Sequence, residues 1–328
     1  MRRLALLFLV LAAGVFVFAG CGGGDDDEGA AGGDSVDLTQ KKDVTIAVIT
    51  HGEGDSFWAV VKKGAEAAAK DLGITVRYSE SNNNPEEQAQ LIEAAITEEV
   101  DGIAVSAPDP DAITDPVKSA VDAGIPVITI NSGAEESAAM GAVTHVGQTE
   151  TIAGEGAGAQ LKEAGATKII CIIHEQGNVG LNQRCEGAKE GFGGEVENLQ
   201  VAGISDVSTT LTEIQSKLES DTSIDGVLAL NPDIAVAARD AIAGAGSEAT
   251  LGTFDLSGDV IKAIKADEIA FAVDQQQYLQ GYLPVVFLTL NKTNLNTVGG
   301  GRPVLTGPGF VTKENAAEIE KLAEAGTR

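Results

Sequence analysis

The chain has 328 residues and a formal net charge of −27, from 49 acidic and 22 basic side chains. Such an excess of negative charge repels phosphate backbones and anionic membrane surfaces, which argues against nucleic acid as a partner. The length suits two α/β lobes or one large domain. The cysteines and histidines do not cluster with the spacing of zinc ligands, and we expect neither a metal nor a cofactor.

The first 20 residues have the order of regions found in a secretory signal peptide. Two arginines come first, an apolar run from Leu4 to Phe18 follows, and Ala19 and Gly20 are small. The run is too short for a membrane-spanning helix, which needs roughly 20 apolar residues. Cys21 comes next, and the ending Ala-Gly-Cys resembles a bacterial lipobox, in which the cysteine is lipidated. Plain secretion with an incidental cysteine is the alternative.

Residues 21–42 are rich in glycine and aspartate and almost free of large apolar side chains. A segment of this composition cannot bury a core, so we expect a disordered tether. Together the two N-terminal segments predict a protein that is held by lipid on the outer face of the cell membrane.

From residue 44 onward, short apolar runs alternate with amphipathic helical patterns. Strands are predicted at 44–50, 75–79, 102–106, 126–131, 168–173, 199–203, 226–231, 250–255 and 269–274. Helices are predicted at 56–72, 85–99, 112–123, 151–164, 181–192, 209–220, 234–243, 258–265, 279–290 and 313–325. This alternation predicts an α/β protein with two similar lobes, each a parallel sheet flanked by helices and joined by short hinge strands. The first crossover is expected in the turn region 142–148.

Polar side chains follow most of the predicted strands, where ligands bind in open parallel sheets. They are His51, Ser106, Asn131, Glu175, Asn231, Asp255 and Asp274. Phe57 and Trp58 begin the first helix at the same edge, and Arg184 lies near the start of a later helix. Carboxylates accept from hydroxyl groups, amides and arginine donate to them, and an aromatic ring covers the apolar face of a sugar. The set therefore predicts a polyhydroxylated ligand.

Each of these residues also has a structural interpretation. Helix capping would account for Asn131, Asn231 and Asp255. Phe57 fits the apolar stripe of its helix and favours the core, whereas Trp58 lies off that stripe and favours the mouth of a cleft. Arg184 could pair with a surface glutamate.

Motifs of catalysis are missing from the sequence. It contains no G-x-S-x-G elbow, no P-loop and no H-E-x-x-H motif. His51, His145 and His174 are spread along the chain without a nucleophile arrangement, and we assign each to the core or the surface. We predict a binding protein and not an enzyme.

Two cysteines remain beyond Cys21. Cys171 falls in a predicted strand and Cys185 in the helix that follows. In an oxidising compartment such a pair forms a disulfide. Two buried free thiols are the alternative, and the sequence leaves both open.

Several short motifs follow one another along the chain. It comprises Phe57-Trp58 with Lys63-Gly64-Ala65, Asn83-Asn84-Pro85, Asp101-Gly102-Ile103, Gly124-Ile125-Pro126-Val127, Arg184 with Gly187, Asn231, Phe254-Asp255, and Gln275-Gln276 before Gly281. In this order the chain resembles the type I periplasmic solute-binding proteins of ABC importers, in the branch that binds ribose and simple sugars. The likeness extends from about Asp43 to Val311.

The resemblance implies capture of a monosaccharide or small polyol between two closing lobes, and delivery to an ABC permease by a monomeric receptor. It implies an N-terminal lobe of residues 43–146 and 276–306, and a C-terminal lobe of residues 147–275 and 307–328. It places the ligand contacts at Phe57, Trp58, Ser106, Asn131, Arg184, Asn231, Asp255 and Gln275.

The chain departs from the ribose binders at three places, one of which is the predicted helix at 313–325 that extends the usual end. Asn131-Ser132 stands where those proteins carry an Asp-Arg pair, and Gln277 stands where they carry proline. The loss of one charged clamp argues against ribose and leaves another pentose, a hexose or a linear polyol open. A sensory receptor for a furanose-like autoinducer would have the same fold. The signal sequence and the acidity argue against a related transcription regulator.

Overall fold

A computed structural model describes residues 43–52 and 54–328. The predicted signal peptide, the predicted tether and Cys21 lie outside these described residues. None of the described helices is both long enough and apolar enough to pass through a membrane.

Strands and helices alternate through the described part of the chain. The strands are β1 Thr45–Thr50, β2 Thr75–Glu80, β3 Gly102–Ser106, β4 Val127–Ile130, β5 Thr144–Gly147, β6 Lys168–Ile173, β7 Glu195–Gln200, β8 Gly226–Ala229, β9 Thr250–Phe254, β10 Phe271–Asp274, β11 Val304–Leu305 and β12 Gly309–Thr312. The helices are α1 Ser56–Leu72, α2 Pro85–Thr97, α3 Pro110–Asp122, α4 Glu150–Glu163, α5 Val179–Phe192, α6 Val207–Ser220, α7 Pro232–Gly244, α8 Gly258–Lys265, α9 Gln277–Asn294 and α10 Ala316–Glu324.

The strands form two six-stranded sheets with the same plan. The first has the order β11-β5-β4-β3-β1-β2 and is parallel throughout. The second has the order β12-β10-β9-β8-β6-β7, and only β12 runs antiparallel to its neighbour. The predicted α/β fold with two similar lobes is confirmed.

Each sheet is covered by helices on both faces, because its strands are apolar on both sides. In β1, Ile46 and Val48 point into one core with residues of α1 and α9, while Ala47 and Ile49 point into another with residues of α2 and α3. Side chains alternate between the faces of a strand, so one short apolar run supplies two cores.

Four strands differ from the sequence-based expectation. Residues 144–147 form the buried strand β5 and not a turn. Its polar side chains are hydrogen-bonded internally, as Thr144 Oγ1 donates to the carbonyl of Arg302 over 2.9 Å, and this hides the apolar pattern. Strand β7 begins four residues earlier than expected, because it is an edge strand with few apolar side chains to mark it. Strands β11 and β12 were not predicted.

The chain passes between the two sheets at three places in its described part, after β5, after β10 and after β11. These segments are hydrogen-bonded side by side. The amide of Thr306 donates to the carbonyl of Gly147 and its Oγ1 donates to the carbonyl of Gln275, both over 2.7 Å. The bundle of three crossings joins the lobes beside the cleft between the carboxyl ends of the two sheets.

Candidate functional site

The cleft contains a small cavity with a polar lining. Both lobes contribute to it. The lining residues are His51, Asp55, Phe57, Trp58, Asn131, Ser132, His174, Glu175, Asn178, Leu181, Arg184, Leu230, Asn231, Asp255 and Gln275.

The structure brings most of the predicted contacts together. Phe57, Trp58, Asn131, Arg184, Asn231, Asp255 and Gln275 line the cavity. Ser106 does not, because its hydroxyl is bonded to His51: Oγ accepts from the His51 amide over 2.9 Å and lies 2.8 Å from His51 Nδ1. Gln88 Nε2 donates to the Ser106 carbonyl over 2.7 Å. Ser106 thus supports a residue of the cavity from behind.

The start of α1 forms one wall. Asp55 is the N-cap of the helix and accepts from the amide of Trp58 over 2.8 Å. The Trp58 ring meets the rings of His51 and Phe57 edge-on, with centroids 4.8 Å apart in each pair. Phe57 and Trp58 both belong to the apolar core of the first lobe and both line the cavity, so the two interpretations of these aromatics hold together.

Asp55 also contacts the opposite lobe. Its Oδ2 accepts from Asn231 Nδ2 over 3.1 Å. Burial raises the pKa of Asp55 to about 7, and the nearby carboxylates of Asp233 and Glu175 act in the same direction, against the hydrogen bonds from Trp58 and Asn231. Asn231 caps α7 as well, since its Oδ1 accepts from the Asp233 amide over 2.8 Å.

Arg184 has a buried partner and not a surface glutamate. Its Nε and Nη2 donate to the two carboxylate oxygens of Glu150 over 2.6 and 3.0 Å. The guanidinium lies 4.7 Å from the centre of the Phe254 ring. Helix α5 can carry Arg184 this close to α4 because Gly154 has no side chain: a Cβ there would lie 2.1 Å from the Arg184 carbonyl.

The residue after Arg184 is joined to the sheet. The structure pairs Cys185 of α5 with Cys171 of β6 in a disulfide, with their Cα atoms 5.8 Å apart. The bond ties the helix that presents Arg184 to a central strand of the second sheet.

Asp255 and Gln275 place hydrogen-bonding atoms in the cavity without protein partners. Both residues are buried, and Asp255 Oδ1 and Gln275 Nε2 form no hydrogen bond with any described residue. Asp255 does not cap the next helix, whose N-cap is Ser257. Burial raises the pKa of Asp255 to about 8, although the positive charge of Arg184 opposes the shift. The cavity therefore has one buried acceptor and one buried donor that a polar ligand can hydrogen-bond.

Eight lining residues were not among the predicted contacts: His51, Asp55, Ser132, His174, Glu175, Asn178, Leu181 and Leu230. Glu175 Oε2 accepts from Asn178 Nδ2 over 2.6 Å and lies 3.4 Å from His51 Nε2 of the other lobe. Burial opposes ionisation of Glu175, but these two partners and the nearby His174 outweigh it and hold the pKa of Glu175 below its usual range.

His51 and His174 line the cavity, which corrects the expectation that they serve the core or the surface, whereas His145 is buried beside Thr129 as expected. The strand-end rule had placed His51 and Glu175 at this edge of the sheets, although the resemblance did not include them among the ligand contacts. Burial lowers the pKa of His174 to about 4, so its imidazole is neutral at pH 7, and its Nδ1 has no hydrogen-bond partner among the residues that the structure describes.

The described residues contain no group of three or more His, Cys, Asp or Glu that could hold a metal ion. The donor set is one of hydroxyl, amide, carboxylate and guanidinium groups. Together with the imidazoles of His51 and His174, such a set binds and orients hydroxyl groups.

Residues 46–290 match the family model of the periplasmic binding protein domain. The chain belongs to this family. The ribose import binding protein RbsB of Bacillus subtilis is 28% identical over 247 residues, which cover 74% of this chain and 80% of that protein.

Solved structures agree with this membership. A carbohydrate transporter from Acidothermus cellulolyticus, crystallised in complex with myo-inositol, has a TM-score of 0.85 and 43% identity. The match covers 88% of this chain and 100% of that protein's chain. An ABC transporter solute-binding protein from Burkholderia graminis, in complex with D-arabinose, has a TM-score of 0.74 and 25% identity. The match covers 84% of this chain and 97% of that protein's chain.

The predicted membership of the type I periplasmic solute-binding proteins, in the ribose and simple-sugar branch, is confirmed. The relatives are binding proteins of ABC importers and not enzymes, which confirms the non-enzymatic assignment. The family is extracytoplasmic. The ligand-contact roles of individual residues stay predictions.

Proposed function

We propose that the protein captures a monosaccharide or small cyclic polyol between its lobes and delivers it to an ABC permease. The observation that carries this proposal is the pair of unpartnered polar atoms, Asp255 Oδ1 and Gln275 Nε2, in a small cavity between both lobes. An unpaired buried polar group costs about 1–3 kcal/mol. A ligand that accepts from one and donates to the other removes both costs.

A ring of hydroxyl groups fits this cavity best. Trp58 and Phe57 offer an apolar wall, and carboxylate, amide and guanidinium groups surround the remaining space. The relative with 43% identity was crystallised with myo-inositol, a ring of this class. Myo-inositol and monosaccharides of similar size are therefore the first candidates.

Capture depends on closure of the lobes. Contacts such as Asn231 with Asp55 join the two sides of the cavity, so a ligand held there touches both lobes at once. It binds the closed form better than the open form and shifts the population toward closure. The permease would then recognise the closed, monomeric receptor.

We further propose that Cys21 carries the lipid anchor. The basic start, the apolar run and the Ala19-Gly20-Cys21 ending support it. In cells given an alkyne-labelled fatty acid, the wild-type protein should take up label and Cys21→Ser should not. Equal labelling of the two proteins would overturn the anchor.

Ligand capture can be followed directly, because Trp58 is the single tryptophan of the chain and lines the cavity. Titration with myo-inositol, monosaccharides and linear polyols should change its fluorescence for at least one ring. If none of the compounds in the three sets changes the fluorescence of Trp58, the proposal is contradicted. Binding without loss of uptake in a deletion strain would instead indicate the sensory alternative.

A further inference from the structure

The charge of the cavity's arginine is already balanced within the protein. Both carboxylate oxygens of Glu150 accept from Arg184, and the exposed fractions of the two side chains are only 1% and 4%. A bidentate pair of this kind satisfies the charge of both partners. Arg184 can still donate a hydrogen bond to a ligand, but it does not supply net positive charge to the cavity.

Three further carboxyl groups line the same cavity, and they differ in how they are matched. Glu175 has His51 and Asn178 beside it. Asp55 accepts from the Trp58 amide and from Asn231. Asp255 Oδ1 has no hydrogen bond among the described residues, and the charge of Arg184, which is paired with Glu150, and the side chain of Gln275 only partly offset the effect of burial on its pKa.

No lysine, and no arginine apart from Arg184, occurs among the lining residues that the structure describes. The cavity thus contains more carboxyl groups than positive charges. A buried carboxylate without a counter-charge is strongly disfavoured, and it is stabilised when a cation is placed beside it. A neutral polyol can hydrogen-bond to Asp255 but cannot supply that charge.

We propose that the preferred ligand carries an ammonium group on a hydroxylated ring, as in an amino sugar or an aminocyclitol, and that this ammonium pairs with Asp255. This inference rests on the proposed function, since it assumes the same cavity and the same size of ring. It adds one requirement, a positive charge at the position of one hydroxyl.

Binding of such a ligand depends on pH in a characteristic way. The charged groups that face Asp255 are Arg184 of α5, Glu150 of α4 and Asp274 at the end of β10, which is itself paired with Arg328. The pKa of Asp255 near 8 means that the carboxyl must lose a proton when the ammonium binds. The affinity of the amine relative to that of the neutral polyol should therefore rise by up to about tenfold per pH unit between pH 6 and 8.

The test is titration calorimetry of the full chain with myo-inositol and with its amino derivatives, each with one hydroxyl replaced by an amine. Glucose and 2-amino-2-deoxyglucose form a second matched pair. We expect at least one amine to bind about tenfold more tightly than its parent at pH 7.5. The isosteric Asp255→Asn should bring that ratio close to one, whereas Asp233→Asn, which changes a carboxyl outside the cavity lining, should preserve it.

The outcomes separate this inference from the proposed function. If a neutral parent binds and every amine binds equally or more weakly at each pH, the ammonium requirement is wrong and the proposed function stands. A ratio that does not change with pH or in Asp255→Asn also overturns it. If neither parents nor amines bind, the ammonium requirement is wrong for these rings, and the proposed function fails only if the wider set of monosaccharides and linear polyols also gives no binding.

Discussion

Glu175 Oε2 lies 3.4 Å from His51 Nε2, although the two residues follow strands of different sheets. Behind His51, the Ser106 hydroxyl holds Nδ1 at 2.8 Å. Beside Glu175, Asn178 donates to the carboxylate and accepts from Ser132 of the first lobe over 3.2 Å. These contacts fasten the lobes together at the cavity, so the closed form depends on them.

Loss of this contact should weaken ligand capture. Glu175→Gln removes the charge but keeps the size of the side chain, and a hydrogen bond to a charged group contributes about 1.5–3 kcal/mol. We expect the Kd for the best polyol or sugar to rise at least about tenfold, mainly through faster dissociation, in stopped-flow measurements of Trp58 fluorescence. Ser56→Ala, at the more peripheral contact with Asp233, serves as the control and should have a smaller effect. Equal effects of the two variants would refute the special role of Glu175.

Glu150→Ala should destabilise the fold. It leaves the buried guanidinium of Arg184 without a counter-ion, and breaking a buried pair in this way costs about 3–5 kcal/mol. Urea unfolding of the variant should show a loss of this size. Asp259→Ala is the matched control, because its pair with Lys262 is exposed to solvent and should contribute little to stability. The double variant Glu150→Leu with Arg184→Met should recover much of the loss, and no recovery would contradict the explanation by unpaired charge.

Removal of the disulfide should lower stability and loosen the presentation of Arg184. Cys171 and Cys185 are 14 residues apart, and a loop of about this length corresponds to about 3 kcal/mol in the chain-entropy description. We expect Cys171→Ala with Cys185→Ala to lose about this much free energy of unfolding. Thiol titration of the wild-type protein under denaturing conditions checks the bond itself. Two reactive thiols at these positions without prior reduction would show that the pair is free.

The free energy of unfolding of the unliganded protein should fall as pH rises from 6.5 to 8. Burial raises the pKa of Asp255 to about 8, so the folded state keeps a proton that the unfolded state lost near pH 4. This stabilisation is complete at low pH and is lost as pH rises through the folded pKa. For Asp255 alone, each pH unit costs up to about 1.4 kcal/mol, or about 2 kcal/mol over this interval. Asp55 adds to the fall, because burial raises its pKa to about 7.

The interval begins at pH 6.5 because two histidines act in the opposite direction below it. Burial lowers the pKa of His145 and of His174 to about 4, so the unfolded state binds more protons there between pH 4 and 6.5. Urea unfolding of the wild-type protein and of Asp255→Asn at both ends of the interval measures the effect. The variant should have the flatter pH dependence, and parallel slopes would assign the effect to other groups.

Much of the site could be predicted from local pattern, because strand ends are visible in the sequence. A short apolar run that stops at a polar residue marks the position, and Asn131, Asn231 and Asp255 were found in this way. Ser106 followed the same rule but points at His51, since the rule places a residue at an edge and does not fix the direction of its side chain. Glu150 carried no signal, because a glutamate in the first turn of a helix is usually explained by the helix dipole.

By itself, the sequence determined the α/β class, the two lobes and the binding role. Alternation of apolar runs with helical stripes is a local property, and the motif order from Phe57-Trp58 to Gln275 is read along the chain. Only the tertiary structure decided which partners these residues have. The pairing of Arg184 with Glu150, the contact of His51 with Glu175 and the unpartnered oxygen of Asp255 all depend on atoms brought together by the packing of separate elements. Hydrogen bonds and charge pairs act over a few ångströms, and positions along the chain do not specify distances of that order.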